Sequence, residues 1–288
     1  MYAGPEPATD ASVSLSLAIA VCLFLFLFGV AKMKGEKDFG TLISMGFGIL
    51  DSRTFMTTRL TGVGPGNLLQ NVVVANLPQL IFSFIYFAYN GIFTTMSLAT
   101  EWSGYGVTRK GLRRSGGGGG ALAGAQRSAY FLQLPYRVAL PLLVVSGTMH
   151  WLISQSIFLV YLEVYGPSLP AYTGTEHLSG AGKGAQDLIT CAWSPAAVLC
   201  TVVVVALMLV ALLSMAQRRL PTAMPIVGSC SAAIAAGCHP PAAEQEGKMW
   251  EKELQWGVTQ EPEGEGRAGH CSFSSAPVSS PVQGLRYQ

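Results

Sequence analysis

Charge is what this sequence has least of. Only 12% of its 288 residues are Asp, Glu, Lys or Arg, against about 25% in a typical soluble domain. That composition does not build a surface facing water on all sides. The 18 Lys and Arg nearly balance the 16 Asp and Glu, for a net charge of +2, so nucleic-acid binding through bulk charge is excluded. Cysteine is present six times, but not as a secreted disulfide framework. Cys22 and Cys200 fall in apolar runs, where a thiol acts as a small apolar side chain. Cys191 stands at the mouth of a run. Cys230, Cys238 and Cys271 lie in the C-terminal segment, where reduced thiols are expected in a cytosolic setting. Residues 1–10 contain no Lys or Arg, and the apolar stretch that follows is longer than a cleavable signal requires. No nucleotide-binding loop occurs. No paired Asp, Ser–Lys or His-cluster motif lies inside an apolar run. The expectation is therefore a non-enzyme with no cofactor and no metal.

What the sequence does have is four long apolar runs. Residues 11–31, 60–100 and 188–217 contain no Asp, Glu, Lys, Arg or His, and residues 138–162 contain only His150. A hydrocarbon core about 30 Å thick needs about 20 apolar residues per helix, and each run is long enough. The fold class expected is an all-α integral membrane protein of about four transmembrane helices with a disordered C-terminal tail. A short leader covers 1–12. A membrane domain covers 13–216, with spans near 13–31, 72–93, 138–162 and 195–216. A cytosolic, largely disordered tail covers 217–288, because its distal part is rich in Glu, Gly, Pro and Ser.

The segment 39–50, with Gly40, Gly46 and Gly48, is too short to span and reads as interfacial or re-entrant. Pro78 falls inside the second span, where a kink is expected. The glycine run 116–120 predicts a flexible stretch. Residues 220–243 also lack Asp, Glu, Lys and Arg, but their prolines, glycines and small residues argue against a fifth span.

Lys and Arg set the expected orientation. The loop 101–137 holds Arg109, Lys110, Arg113, Arg114 and Arg127, and Arg218–Arg219 follow the last span. The loop 163–187 has a single Lys. The basic loop and the tail are therefore expected in the cytosol. Lys32, Lys34, Lys37, Arg53 and Arg59 oppose this assignment. The plasma membrane is the default address.

Two polar stripes interrupt the greasy runs. Asn76, Gln79, Ser83, Tyr86 and Asn90 step by threes and fours, which places them on one face of the second span. Amides in hydrocarbon need partners. Ser146, His150 and Ser154 step by four along the third span, with Gln155 adjacent. His150 is the only group well inside a span that titrates near neutrality. One reading is interhelical hydrogen bonding between the stripes, worth about 0.6 kcal/mol per pair. The other is a polar pathway or proton site. Arg109, Lys110, Arg113 and Arg114 are candidates for lipid headgroups, or serve only as topology signals. Cys230, Cys238–His239 and His270–Cys271 carry zinc-ligating atoms but match no finger spacing; S-acylation of Cys230 or Cys238 is an alternative.

Several strings carry a resemblance. They are Ala75–Asn76–Leu77–Pro78–Gln79, Tyr86–Phe87–Ala88–Tyr89–Asn90, Glu101–Trp102 and Arg109–Lys110–Gly111–Leu112–Arg113. The run from Gln126 to Arg137, the stretch His150 to Ser156, Gly228 to Ala233, Cys238–His239–Pro240 and Leu254–Gln255–Trp256–Gly257–Val258 complete the set. Together they resemble the C-terminal half of large multi-span membrane proteins of filamentous fungi, a family of unknown function with an uncharacterised N-terminal membrane domain. The resemblance implies no activity. It implies a missing N-terminal membrane domain, and the glycine run stands where relatives have a short Ser/Pro-containing stretch. The leading expectation is a non-enzymatic multi-pass protein in the lipid bilayer that assembles with other spans, either that domain or a second copy. The alternative is a transporter or channel component using the seam facing His150.

Overall fold

The computed structural model describes residues 5–33, 35–56, 65–114, 122–129, 134–165, 185–218, 220, 224–228, 230–239, 244, 247–262 and 268–287. The glycine run, the middle of the 163–187 loop and part of the Gln126–Arg137 string lie outside these residues. Among the described residues four helices are long and apolar enough to cross a membrane. They belong to α1 (Pro5–Lys32), α3 (Pro65–Ser103), α4 (Tyr136–Ser156) and α5 (Pro195–Ala216). The chain divides into two compact units.

The first unit is Thr9–Tyr89 with Pro141–Leu212. In it α1 shows little burial, 6% of its most apolar window, although it is apolar on every side. Near its end Phe26 meets Trp193 edge-on at 6.3 Å, and a Cβ on Gly29 would strike the Trp193 ring. The short helix α2 (Phe39–Ser44) is capped by Asp38, whose carboxylate accepts from the Gly40 amide. It packs Leu42 and Met45 on Met33, Phe26 and Val30.

The third apolar run does not stay helical. A helix was expected to residue 162, but α4 stops at Ser156 and the chain continues as strand β4 (Ile157–Tyr165). It pairs antiparallel with β5 (Ala185–Trp193), from Ile157 opposite Trp193 to Tyr165 opposite Ala185. β5 then leads through Ser194 into α5. Ile157, Val160, Tyr161, Val164 and Tyr165 are β-branched or aromatic and favour a strand. A short apolar run does not by itself distinguish the two states. The segment before α3 lies along β5: Phe55 bridges Ala192, and the Met56 amide donates to the Cys191 carbonyl at 2.9 Å.

The second unit is Met1–Ala8, Asn90–Leu140 and Leu213–Gln288. Here the expectation of a largely disordered tail meets a folded sheet. Strands β1 (Lys110–Gly111), β6 (Glu253–Gln260) and β7 (His270–Ser274) pair in the order β1-β6-β7, antiparallel throughout. Beside them β2 (Arg113–Arg114) and β3 (Arg127–Ser128) pair in parallel. Tyr105, Met224, Leu254, Trp256, Val258, Cys271 and Phe273 form the core, with Trp102 packed against it. Leu254, Trp256 and Val258 alternate along β6, which puts all three on one face of a strand. The surrounding Gly, Pro, Ser and Glu hide so short a strand in any average of composition.

Candidate functional site

The side of α3 that packs is not the amide seam. Its buried residues include Asn71, Phe82, Tyr89, Phe93 and Met96. Phe82 and Tyr89 each stand one position before the seam residues Ser83 and Asn90. One position is about 100° of helix rotation, so the seam lies at the edge of the contact. Asn76 and Ser83 are exposed and bond their own helix: Asn76 donates to the Val72 carbonyl at 2.8 Å and Ser83 to that of Gln79 at 2.9 Å. Gln79 and Asn90 are half-buried, and the Asn90 carbonyl accepts from Thr94.

Tyr86 is the seam residue that reaches across, donating its hydroxyl to the Leu142 carbonyl of α4 at 3.2 Å. Tyr89, outside the seam, donates to the Met208 carbonyl of α5 at 3.0 Å. The group facing His150 is Phe82, edge-on at 5.2 Å between ring centroids. Ser154 donates to the Trp151 carbonyl of its own helix, and Ser146 is half-buried. The expected closure of the seam on His150 is therefore replaced by an aromatic contact, with one tyrosine hydroxyl bridging nearby. Phe82 is the better partner, because an apolar ring fills the space between helices without leaving an amide to satisfy.

A buried polar layer that the stripes did not reveal lies elsewhere in the same unit. Asn71, fully buried, donates to the Asn67 carbonyl and accepts from the Cys191 thiol at 3.2 Å. Thr190 donates to the Met56 carbonyl, and Ser194 to the Gly46 carbonyl at 2.6 Å. Burial pushes the Cys191 thiol up from its ordinary value, which keeps it a donor at neutral pH. These bonds tie the segment 46–56 to β5 and Ser194, and β5 to the start of α3. The available signal was Asn71 standing one turn before Ala75, in phase with Phe82 and Tyr89 rather than with Asn76.

The basic loop is divided by the fold. Arg109 clamps the C-terminal segment, donating from its two terminal nitrogens to the Ser275 and Ala276 carbonyls at 2.8 and 2.7 Å. Glu244 holds the other side of that turn, accepting from the Ser275 and Ala276 amides and the Ser274 and Ser275 hydroxyls. Burial alone would raise the Glu244 carboxyl, but these bonds, those of Ser275 foremost, hold it below its ordinary value.

Arg113 and Arg127 share one carboxylate, Glu101, at 2.5 and 3.4 Å. Lys110 lies over the Tyr105 ring at 5.6 Å. Burial and then Arg127 hold its ammonium below the ordinary lysine value, with Glu101 opposing and Arg113 adding. Arg114 is exposed on β2. Of the four headgroup candidates, Arg109 is thus engaged by the C-terminal turn, while Arg113 and Lys110 cluster with Arg127 about Glu101.

In the C-terminal segment His270 Nε2 comes within 3.4 Å of the His239 carbonyl oxygen. Cys230 and Cys238 are exposed, and Cys271 is buried. Burial raises the Cys238 and Cys271 thiols, with Glu261 adding to the second. Among the described residues no three His, Cys, Asp or Glu side chains gather as a metal site.

No curated protein and no solved structure matches the chain. A family model described as a domain of unknown function (DUF8419) matches residues 9–287, which takes in both compact units and all four apolar helices. With its model running through the bundle and the sheet alike, this chain belongs to the DUF8419 family.

Proposed function

We propose that this is a multi-pass, non-enzymatic membrane protein that works by assembling with a further membrane helix. The observation that carries the reading is the exposed seam on α3. Asn76 and Ser83 face outward within a run of uncharged residues. Hydrocarbon offers an amide nothing to bond, and an unsatisfied one is costly. The Asn76 amide nitrogen is used within α3, and its oxygen finds no partner among the described residues. Another helix, from a second copy or a separate membrane domain, satisfies it. The transport alternative needs the seam to face His150, and Phe82 stands there instead.

In this reading the basic loop and the C-terminal segment are cytosolic. Its support is that the basic loop and the C-terminal segment are bonded to each other, through Arg109 and through β1 against β6. In this reading they share one side, and the basic loop and Arg218–Arg219 carry the Lys and Arg that mark the cytosolic face.

Photo-crosslinking tests the assembly. A photoreactive residue at position 76, irradiated in intact membranes, should give a protein adduct. The same residue in place of Phe87, which is 80% exposed, should give lipid adducts. Lipid adducts alone from position 76 would refute the proposal.

A further inference from the structure

We propose that Lys110, Arg113 and Arg127 form a binding site for a phosphate-bearing anion, of the kind carried by an acidic phospholipid headgroup. The argument begins with a mismatch of charge. Among the described residues three cations gather about one carboxylate, Glu101, which accepts from both Arg113 and Arg127. Lys110 makes no hydrogen bond or ion pair among the described residues; its ammonium lies over the Tyr105 ring and feels Glu101 at longer range. Even Glu253, opposite Gly111 across the ladder, forms no ion pair with it. An ammonium carries three N–H donors, and no hydrogen-bond acceptor holds those of Lys110 among the described residues.

The site is also built in advance. Arg127 is fixed by its Nε donating to the Gly111 carbonyl at 2.9 Å, and Arg113 by a bond of the same length to the Ser128 carbonyl. Tyr105 joins the members: its hydroxyl donates to Gly111, its oxygen lies 3.5 Å from Arg127, and its ring carries Lys110. Side chains held like this lose little freedom on binding. Arg113 and Arg127 keep only 23% and 36% of their side-chain exposure, so water screens them less than surface charges. The neighbouring cations that depress the Lys110 ammonium are those a phosphate would neutralise.

Position favours a lipid source, and this step rests on reading α3 as a span. Glu101 is the first charged residue after Arg59, and Trp102, an interface-seeking side chain, follows it. With a span near 72–93, Glu101 stands about two helical turns beyond its end, on the headgroup side of the hydrocarbon.

The test uses the full chain purified in detergent, with added phosphatidic acid, phosphatidylcholine or inorganic phosphate, read by native mass spectrometry. The parent should retain phosphatidic acid in preference to phosphatidylcholine. K110Q should weaken that binding about fivefold, the share of one cation at an anionic surface, and K110R should bind about as the parent does. R286Q removes an equal charge from an exposed residue outside the cluster and should leave binding unchanged. If inorganic phosphate binds as tightly as phosphatidic acid and K110Q weakens both, the site stands and its ligand is a soluble phosphate. The proposal is overturned if the parent shows no preference, if K110Q binds like the parent, or if R286Q loses as much as K110Q.

Discussion

Phe273→Ala should unfold the C-terminal sheet, not merely loosen it. Phe273 is 3% exposed and meets Trp102 and Tyr105 edge-on, at 5.3 and 5.4 Å between ring centroids. Truncating a buried Phe costs about 3–5 kcal/mol, and each edge-to-face pair supplies about 0.5–1.5 kcal/mol of such a loss. A core this small yields roughly 3–5 kcal/mol in all. The loss therefore matches the whole stability of the sheet. Limited trypsin digestion of the detergent-purified protein reads this directly. In the parent, Arg109 is clamped on the Ser275 and Ala276 carbonyls and Lys252 leads into β6, so both sites should resist cleavage. In the variant both should be cut at the rate of an unfolded peptide, while Phe273→Leu should keep most of the protection. A parent cleaved at Lys252 as fast as the variant would show that the segment is not folded. A fully protected Phe273→Ala would show that this ring does not hold the core.

Two further outcomes are expected. The Glu244 carboxyl is held below its ordinary value, so its contribution is present above the unfolded Glu pKa of about 4.3 and lost as pH falls through the folded value. Hydrogen-exchange protection of the Ser275 and Ala276 amides should thus disappear on acidification, and E244Q should lack it already at neutral pH; equal protection in E244Q and parent at both pH values would exclude the latch. A C-terminal tag should survive protease added to intact cells and be removed only after permeabilisation, whereas removal from intact cells would reverse the orientation.

The helices were legible in the sequence because lipid-length apolar runs are long, and long runs outvote local detail. Four apolar helices follow from them. The strands were not legible, for two reasons. At residues 157–162 the run stays apolar while the backbone changes from helix to strand, so hydropathy carries no mark of the change; only β-branching at Ile157 and Val160 and the ring of Tyr161 does. In the tail, strands of eight and five residues are diluted by loops rich in Gly, Pro and Ser. The charges of the basic loop were legible as a group, but not their partners. Arg109 pairs with carbonyls far along the chain, at Ser275 and Ala276, and no local spacing encodes that contact.

The seam makes the sharper case. A stripe of Asn, Gln, Ser and Tyr marks a face of a helix correctly, but a face has neighbours on both sides, and sequence does not say which of them the next helix covers. Burying polar residues in step with the contact face requires a partner for each. The fold instead buries Phe82 and Tyr89 and lets one hydroxyl per tyrosine reach a carbonyl on α4 or α5. A hydroxyl at the end of a ring spans the gap between helices and leaves an apolar body in the contact, whereas an amide on a short stem brings its desolvation cost with it. What remains outside is Asn76 and Ser83, polar on a surface that a bilayer would leave dry. The same rule, that amides in hydrocarbon need partners, applies to that surface once α3 is read as a span, and in the function proposed above the partner is a helix from outside this chain.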